Sequence, residues 1–240
     1  LGNPARNGLF SALLARDGFT ASMQTLEGPR GFALVMGEEP RLDALTAGLG
    51  EQWEAMRNRP KSYASGVVLH RAVDACLALG SGQGIPAADI AAVRVRGNPL
   101  LRQRTDRPRP GSGREAAVSI QHSVAVCFLF GVAGVAQYAQ PCVENEAVRA
   151  LGDRVSVEED QAIAVEAAEV RVEMHDGRRH EIEIEHASGS LARPLSDAQL
   201  EAKVKTLLEW RQWRGSAEAL IEALGRLDEA QDRAALMRLL

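Results

Sequence analysis

Lysine is scarce in this sequence of 240 residues, in which only Lys61, Lys203 and Lys205 stand against a majority of arginines. The 32 acidic residues outnumber the 28 Lys and Arg residues, and the net charge is −4. That balance argues against a general nucleic-acid-binding protein, because such proteins carry an excess of positive charge. The longest apolar stretch, residues 123–136, has about 14 residues, fewer than the roughly 20 of a membrane-spanning helix. We therefore expect neither a nucleic-acid partner nor a membrane partner.

Cysteine is also rare, and its spacing excludes two classes of protein. Cys76, Cys127 and Cys142 form an odd set without a CxxC pair or a zinc-binding spacing. A disulfide framework and a zinc site are therefore not expected, and the sequence predicts free, buried thiols in a cytoplasmic protein. The first residues lack the features of a signal peptide. They also lack an initiator methionine, so we expect the chain to derive from a longer protein.

Helical patterns occupy both ends of the chain. Asn3-Pro4 suits the start of an amphipathic helix, and a second helix is expected over residues 41–56. Near the other end, Ser196 and Gln199 have the spacing of a capping box, and further helices follow, the last beginning near Asp228.

The central section has a mixed pattern of helices and strands. The strongest strand signal is a hairpin over residues 169–185 with Asp176-Gly177 at its turn. A helix is expected over 67–80, a strand over 90–96, an arginine-rich loop over 97–113 and a very apolar helix over 115–131. The sequence thus predicts an α+β fold, in which a small α+β domain (59–191) is bracketed by helical segments (1–58 and 192–240).

Two titratable residues are candidates for chemistry. Lys61 is the only lysine in the first two hundred residues, and a lysine ammonium is a compact charge that responds to burial; an exposed lysine without a role is an equal alternative. His122 precedes a very apolar stretch, where partial desolvation would tune it as a base. The alternative for His122 is a half-buried histidine with a structural hydrogen bond.

Other polar clusters favour structural interpretations. The arginines of the central loop could clamp carboxylates, but a solvated loop in an arginine-rich chain is the preferred interpretation for most of them. His70 is expected to be structural, and the histidines around the hairpin are expected at the surface, so no metal site is predicted. The members of these two sets are Arg94, Arg96, Arg102, Arg104, Arg107, Arg109 and Arg114, and His175, His180 and His186.

Four segments together resemble the C-terminal half of the MmgE/PrpD family, which includes 2-methylcitrate dehydratase, cis-aconitate decarboxylase and iminodisuccinate epimerase. Their order and spacing over nearly the whole chain carry the resemblance. The segments are GNPARNG with LLA and GFT (2–20), KSYA with His70 and DA (61–75), EA with SIQHSVA (115–125) and PLSDAQLEAK (194–203).

The resemblance implies an all-helical domain, to which 1–58 and 192–240 would belong, a smaller α+β domain, and an active site between them. The family's N-terminal helices, which carry part of that site, are absent from this sequence. Lys61 matches the family's active-site lysine, and His122 matches a position held by a tyrosine or a histidine. We assign these two residues to catalysis, and Tyr63, Gly66, Gln121 and Arg107 to substrate binding.

Two departures from the family pattern affect the expected reaction. Ala64 replaces the usual proline, and Gly66 stands where some members carry a histidine or cysteine that faces the substrate. The resemblance implies a cofactor-independent, homodimeric lyase of the 2-methylcitrate dehydratase type, which abstracts a proton next to a carboxylate of a small di- or tricarboxylate. An epimerase of the iminodisuccinate type is one alternative, and a fragment that needs the missing helical half is another. The glycine at position 66 makes decarboxylation the least expected reaction.

Overall fold

The computed structural model describes residues 2–229, and it divides into two compact units between Arg57 and Asn58. The predicted last helix from Asp228 falls mostly on residues outside this range. The α+β class predicted from the sequence is confirmed by helices together with a four-stranded sheet. No helix within residues 2–229 has the length and apolar character needed to cross a membrane.

The first unit contains two α-helices, α1 (Gly2–Arg16) and α2 (Phe32–Met36). The predicted helix over 41–56 is wrong, because only 3-10 turns form there, at Leu42–Leu45 and Glu54–Arg57. Gly48 and Gly50 lie between those turns with φ of 71° and 84°, a left-handed conformation that does not continue a helix.

Large apolar side chains are exposed on the helices of this unit. Neither α1 nor α2 has a buried residue. Phe10 on α1 is 61 % exposed and Phe32 on α2 is 63 % exposed. These two helices therefore contribute no fully buried side chain to the core of their own unit.

The second unit is built on a sheet with the strand order β2-β1-β3-β4. The β1 and β2 strands are parallel, and the other neighbours are antiparallel. The predicted hairpin is confirmed as β3 and β4. The strands are β1 (Ile90–Gly97), β2 (Val155–Glu159), β3 (Ala168–Met174) and β4 (Arg179–Ile184).

Helices cover one face of this sheet. Val170 and Val172 on β3 are fully buried, as alternation along a strand requires for a covered face. The opposite face carries ion pairs such as Arg171–Glu181 at 3.0 Å. The helices of this unit are α3 (His70–Leu77), α4 (Pro99–Thr105), α5 (Gly113–Ala116), α6 (Ile120–Phe130), α7 (Gln140–Val143), α8 (Glu146–Gly152), α9 (Asp197–Trp210) and α10 (Ala217–Gly225).

Two central predictions need correction. The segment 97–113 is not all loop, because Asn98 caps α4 by accepting a hydrogen bond from the Leu100 N–H at 3.2 Å. The apolar helix expected over 115–131 is two helices, since α5 ends at Ala116 and Ser119 then caps α6 by accepting a hydrogen bond from the His122 N–H. The α6 helix ends at Gly131, whose φ of 66° turns the chain into the following loop.

The capping box at the start of α9 is confirmed, with the Ser196 and Gln199 side chains bonded to each other's backbone N–H. Contacts group α9 and α10 with the central section in the second unit. Their membership of a helical domain together with residues 1–58 stays a prediction, as does the 59–191 boundary. All three cysteines are free; Cys76 and Cys127 are buried, whereas Cys142 is only half-buried.

Candidate functional site

Residues 61–66 form an irregular segment that is held by hydrogen bonds to distant parts of the fold. Ser62 Oγ donates to the Ser188 carbonyl at 2.6 Å. The Ala64 N–H donates to the Ala133 carbonyl at 3.3 Å, and the Gly66 N–H donates to the Ala117 carbonyl at 2.7 Å. The segment therefore has a fixed path although it is neither helix nor strand, and Lys61 lies at its first position.

A buried carboxylate anchors the same segment from α3. Asp74, which is 7 % exposed, accepts a hydrogen bond from the Tyr63 hydroxyl. Its other oxygen accepts from the Ser188 N–H at 2.6 Å and lies 3.5 Å from Arg193 Nη1. Burial, together with the hydrogen bond and the negative charge of Asp74, raises the pKa of Tyr63 well above its usual value. Tyr63 is therefore a neutral donor at physiological pH.

Lys61 and Tyr63 line an open cavity of about 410 Å³, here called the lysine cavity. Its walls come from the 61–64 segment, from α3, from the loop that Gly131 starts, and from α9. The lining residues are Lys61, Ser62, Tyr63, Ala64, Leu77, Gly131, Val132, Ala133, Gly134, Val135, Lys203, Thr206 and Leu207. A cavity of this size falls in the usual range of small-molecule sites.

The two lysines of this cavity are linked to each other. Lys203 Nζ donates a hydrogen bond to the backbone carbonyl of Lys61 at 2.6 Å. Lys61 Nζ turns toward the Ser65 carbonyl, at 3.4 Å, while the Lys61 side chain stays exposed. Lys203 was not predicted as a site residue, although lysine is rare in this sequence and Lys203 ends one of the segments that carry the resemblance.

His122 lies in a different place from Lys61. It is 3 % exposed at the start of α6 and lines a crevice of about 10 Å³, which has room for one water molecule. His122 and Lys61 line different cavities, and their catalytic roles stay predictions. One hydrogen bond connects the two places. The Gly66 N–H donates to the carbonyl of Ala117, which lies two residues before the cap of α6.

The hydrogen bond of His122 defines its tautomer. Its Nε2 is 2.7 Å from the Gln137 carbonyl oxygen, which only accepts, so Nε2 carries the hydrogen and the neutral ring keeps a lone pair on Nδ1. Burial lowers the pKa of His122, and the Gln137 carbonyl offsets part of that shift. The ring is therefore neutral near pH 7, which is the form of a base.

Gln121 and Arg107 are hydrogen-bonded to each other and do not line the lysine cavity. The Gln121 amide donates to Asp106 Oδ1 at 2.7 Å and accepts from the Arg107 N–H at 3.2 Å. The Arg107 guanidinium donates to the Asp106 carbonyl at 2.9 Å and is exposed. Neither residue lines the cavity of Lys61, and their role in substrate binding stays a prediction.

A side chain at position 66 would make ordinary contacts without a clash. A Cβ built on Gly66 would lie 3.7 Å from the Ala117 carbonyl oxygen and from a methyl group of Val118, which is ordinary contact. Position 66 could therefore carry a small side chain, but the residue there is glycine.

Most of the central arginines form ion pairs on the surface, as in the solvated interpretation. Arg109 binds Asp153 through two hydrogen bonds of 2.9 and 2.8 Å. Arg96 pairs with Glu169 at 3.0 Å. Such exposed pairs contribute little to stability, and they leave these guanidinium groups engaged.

His70 does not line the lysine cavity. His70 is 2 % exposed and its ring edge contacts the Tyr63 ring, with 5.2 Å between the centroids. Within the described residues its Nε2 has no hydrogen-bond partner. Across residues 2–229, no group of three His, Cys, Asp or Glu side chains is arranged to hold a metal ion.

Comparison with known proteins gives a consistent family signal. The model of the MmgE/PrpD C-terminal domain matches residues 63–229. Two curated relatives, the cis-aconitate decarboxylases of Mus musculus and Homo sapiens, are each 25 % identical to this chain over its whole length. The chain spans about half the length of these relatives, 51 % and 52 % respectively.

Proposed function

The chain belongs to the MmgE/PrpD family, and from this premise we propose that it acts as a lyase on a small di- or tricarboxylate. The proposed reaction is a dehydration of the 2-methylcitrate type. The observation that carries this proposal is the position of Lys61, which matches the family's active-site lysine and lines a cavity of about 410 Å³. A cavity of this size suits a small organic acid.

Lys61 supplies the charge that the reaction requires. Removal of a proton from the carbon next to a carboxylate builds negative charge on that carboxylate, and a nearby ammonium group stabilises it. A carbon–carbon double bond then forms as the neighbouring carbon–oxygen bond breaks, and the hydroxyl group leaves as water with a proton that the protonated base returns. The exposed Lys61 ammonium, with one hydrogen bond to a backbone carbonyl, has donors left for a substrate.

His122 is proposed as the base that takes the proton. The lone pair on its Nδ1 and its lowered pKa support this role. Its position on a different cavity from Lys61 does not support the role, and His122 and Lys61 are therefore tested with separate variants.

Epimerisation and decarboxylation are the second candidates. Both reactions build negative charge next to a carboxylate. The two curated relatives are named as cis-aconitate decarboxylases. Gly66 favours dehydration or epimerisation, because no side chain stands where some family members carry a histidine or cysteine.

The exposed apolar faces of α1 and α2 support the proposal that a further polypeptide covers them in the active protein. Phe10, Phe32 and Met36 are between 61 % and 70 % exposed, and large exposed apolar side chains often mark a surface that binds another polypeptide. Such a cover would come from a further helical segment or from a second copy in a homodimer.

The test is an assay of the whole protein with 2-methylcitrate, cis-aconitate and iminodisuccinate. Loss of water, release of carbon dioxide and change of configuration are measured for each compound. Lys61→Met should abolish turnover and leave the fold intact, because the side chain is exposed and its removal leaves no buried cavity. Lys205→Met is the matched control and should turn over normally, since Lys205 pairs with Glu218 at 3.2 Å outside the lysine cavity.

His122→Gln is assayed beside these variants and should reduce turnover strongly if His122 is the base. Normal turnover by Lys61→Met would remove Lys61 from the site, and normal turnover by His122→Gln would do the same for His122.

A further inference from the structure

Two of the three lysines of this chain line the same cavity. Lys61 comes from the irregular segment before α3, and Lys203 comes from the second turn of α9, 142 residues later. In a chain that uses arginine almost everywhere else, the fold brings these two ammonium-bearing residues together.

The lysine cavity carries positive charge and no compensating acid. None of its lining residues is Asp or Glu. Within residues 2–229, neither Lys61 nor Lys203 has a carboxylate oxygen within 4.0 Å of its ammonium group. Each ammonium has three N–H donors and makes one hydrogen bond to a backbone carbonyl, so each retains donors for an anion.

Lys205 shows how a lysine without such a role is placed on the same helix. It lies two residues after Lys203, and it pairs with Glu218 at 3.2 Å. It lines a different cavity, beside the start of α10. Lys203 and Lys205 are the same residue type on the same helix, but only Lys203 lines the lysine cavity. A comparison of the two therefore tests the effect of position alone.

The presence of two ammonium groups in one cavity suits an acid with more than one carboxylate. The bond from Lys203 Nζ to the Lys61 carbonyl brings the Lys203 ammonium to the base of the Lys61 side chain, at 2.6 Å from that oxygen. Because both lysines line one cavity, a single small acid in that cavity could offer one carboxylate to each ammonium group.

We propose that Lys203 is a substrate-binding residue, which holds a second carboxylate of the acid whose first carboxylate contacts Lys61. This inference rests on the proposed function, because it assumes that Lys61 faces the substrate. It makes Lys203 a determinant of specificity, since an acid with a single carboxylate gains nothing from the second ammonium. In the alternative, Lys203 only holds the Lys61 backbone in place.

The small number of lysines makes a direct measurement feasible. In the full chain labelled with ¹³C at the lysine Cε, the three lysines give three NMR signals, assigned with Lys61→Arg, Lys203→Arg and Lys205→Arg. Citrate is the probe with several carboxylates and acetate is the probe with one, both at constant ionic strength. Citrate should shift the signals of Lys61 and Lys203 along a single saturation curve, and the signal of Lys205 should stay in place.

Variants at position 203 distinguish a role of Lys203 in binding the anion from a role in holding the Lys61 backbone. Lys203→Gln keeps an N–H donor for the Lys61 carbonyl but removes the charge, whereas Lys203→Met removes both. Lys203→Gln should weaken citrate binding about tenfold, the loss expected for one charged hydrogen bond. Acetate binding should be the same in Lys203→Gln and in the unaltered chain. Lys205→Met should bind citrate normally.

Two results would overturn the proposal and leave the proposed function in place. One is a citrate-induced shift of Lys61 without a shift of Lys203; the other is normal citrate affinity in Lys203→Gln. If neither signal moves with citrate, the proposal fails outright. A shift of Lys203 with a fixed Lys61 signal would support an anion site at Lys203 and would count against the proposed role of Lys61, so the two failures are distinguishable.

Discussion

The hydroxyl of Tyr63 donates a hydrogen bond to the carboxylate of Asp74, which lies eleven residues later and is almost fully buried. The same carboxylate accepts from the Ser188 N–H at 2.6 Å. One acidic group therefore joins the segment of Lys61, helix α3 and the turn that follows β4. The shape of the lysine cavity depends on this junction, because Tyr63 forms part of its wall.

Removal of the Tyr63 hydroxyl should destabilise the protein more than removal of the other tyrosine hydroxyl. Tyr63→Phe takes a donor from a buried carboxylate, and we expect a loss of about 2 kcal/mol in the free energy of unfolding. Tyr138→Phe is the matched control, because the Tyr138 hydroxyl donates to the neutral Ser123 Oγ at 3.1 Å and its loss should cost about 1 kcal/mol. Urea unfolding of both variants measures the difference, and equal losses would contradict the importance of Asp74.

The free energy of unfolding should fall in mild acid because of two buried histidines. Burial lowers the pKa of His70 and of His122 below the usual 6.5, although hydrogen bonds to the backbone at Ser65 and Gln137 offset part of the shift. Their contribution to stability is complete above pH 6.5 and is lost as the pH falls from there through the lower pKa of the folded state. Each histidine should add a slope of up to about 1.4 kcal/mol per pH unit.

Urea unfolding at pH 7 and at pH 5 checks this dependence on acid. His122→Gln should reduce the slope, whereas the control His175→Asn should leave it unchanged, since the His175 ring is exposed. A slope that His122→Gln does not alter would show that the ring is not desolvated as described.

Both tyrosines should resist ionisation in the folded protein. Burial raises the pKa of Tyr138 to about 12 and raises that of Tyr63 as well. The unfolded chain releases these protons near pH 10, so the contribution of the neutral tyrosines is complete below that pH and is lost as the pH rises through the folded values. An ultraviolet titration should show phenolate only well above pH 10, and a full phenolate signal at pH 10 with the fold intact would refute this.

A methyl group should be tolerated at Gly66 and not at Gly113. A Cβ on Gly113 would overlap the Tyr138 carbonyl oxygen, which is backbone and cannot move freely. Gly113→Ala should therefore cost about 1 to 3 kcal/mol of stability, the usual range for overpacking. Gly66→Ala is the control, with its nearest contacts at 3.7 Å, and thermal unfolding compares the two. Similar melting temperatures would mean that the chain around Tyr138 adapts.

Local elements were predictable where short-range chemistry is sufficient. The hairpin over 169–185 follows from alternation and an Asp-Gly turn, and the start of α9 follows from its capping box. The Asn98-Pro99 cap of α4 is an equally local signal, but the prolines and arginines that follow it favoured a loop. The helix predicted over 41–56 failed because glycines at 48 and 50 adopt left-handed conformations.

The candidate site was only partly predictable. Lys61 stood out because lysine is rare, and the resemblance to the family named its role. Ser188 and Lys203 could not be found in this way, because their hydrogen bonds to the 61–66 segment span more than a hundred residues. His122 was predictable as a buried histidine, but its separation from Lys61 was not.

The order of helices and strands, the hairpin turn and the chemical types at the site are properties of the sequence, because turn residues, caps and alternating apolar positions act over a few neighbours. The tertiary structure alone decided which of these residues meet. It buried Asp74 beside Tyr63, directed His122 toward Gln137 and brought Lys203 to Lys61. Such contacts result from the packing of helices and strands that are far apart in the chain, and no local pattern encodes them.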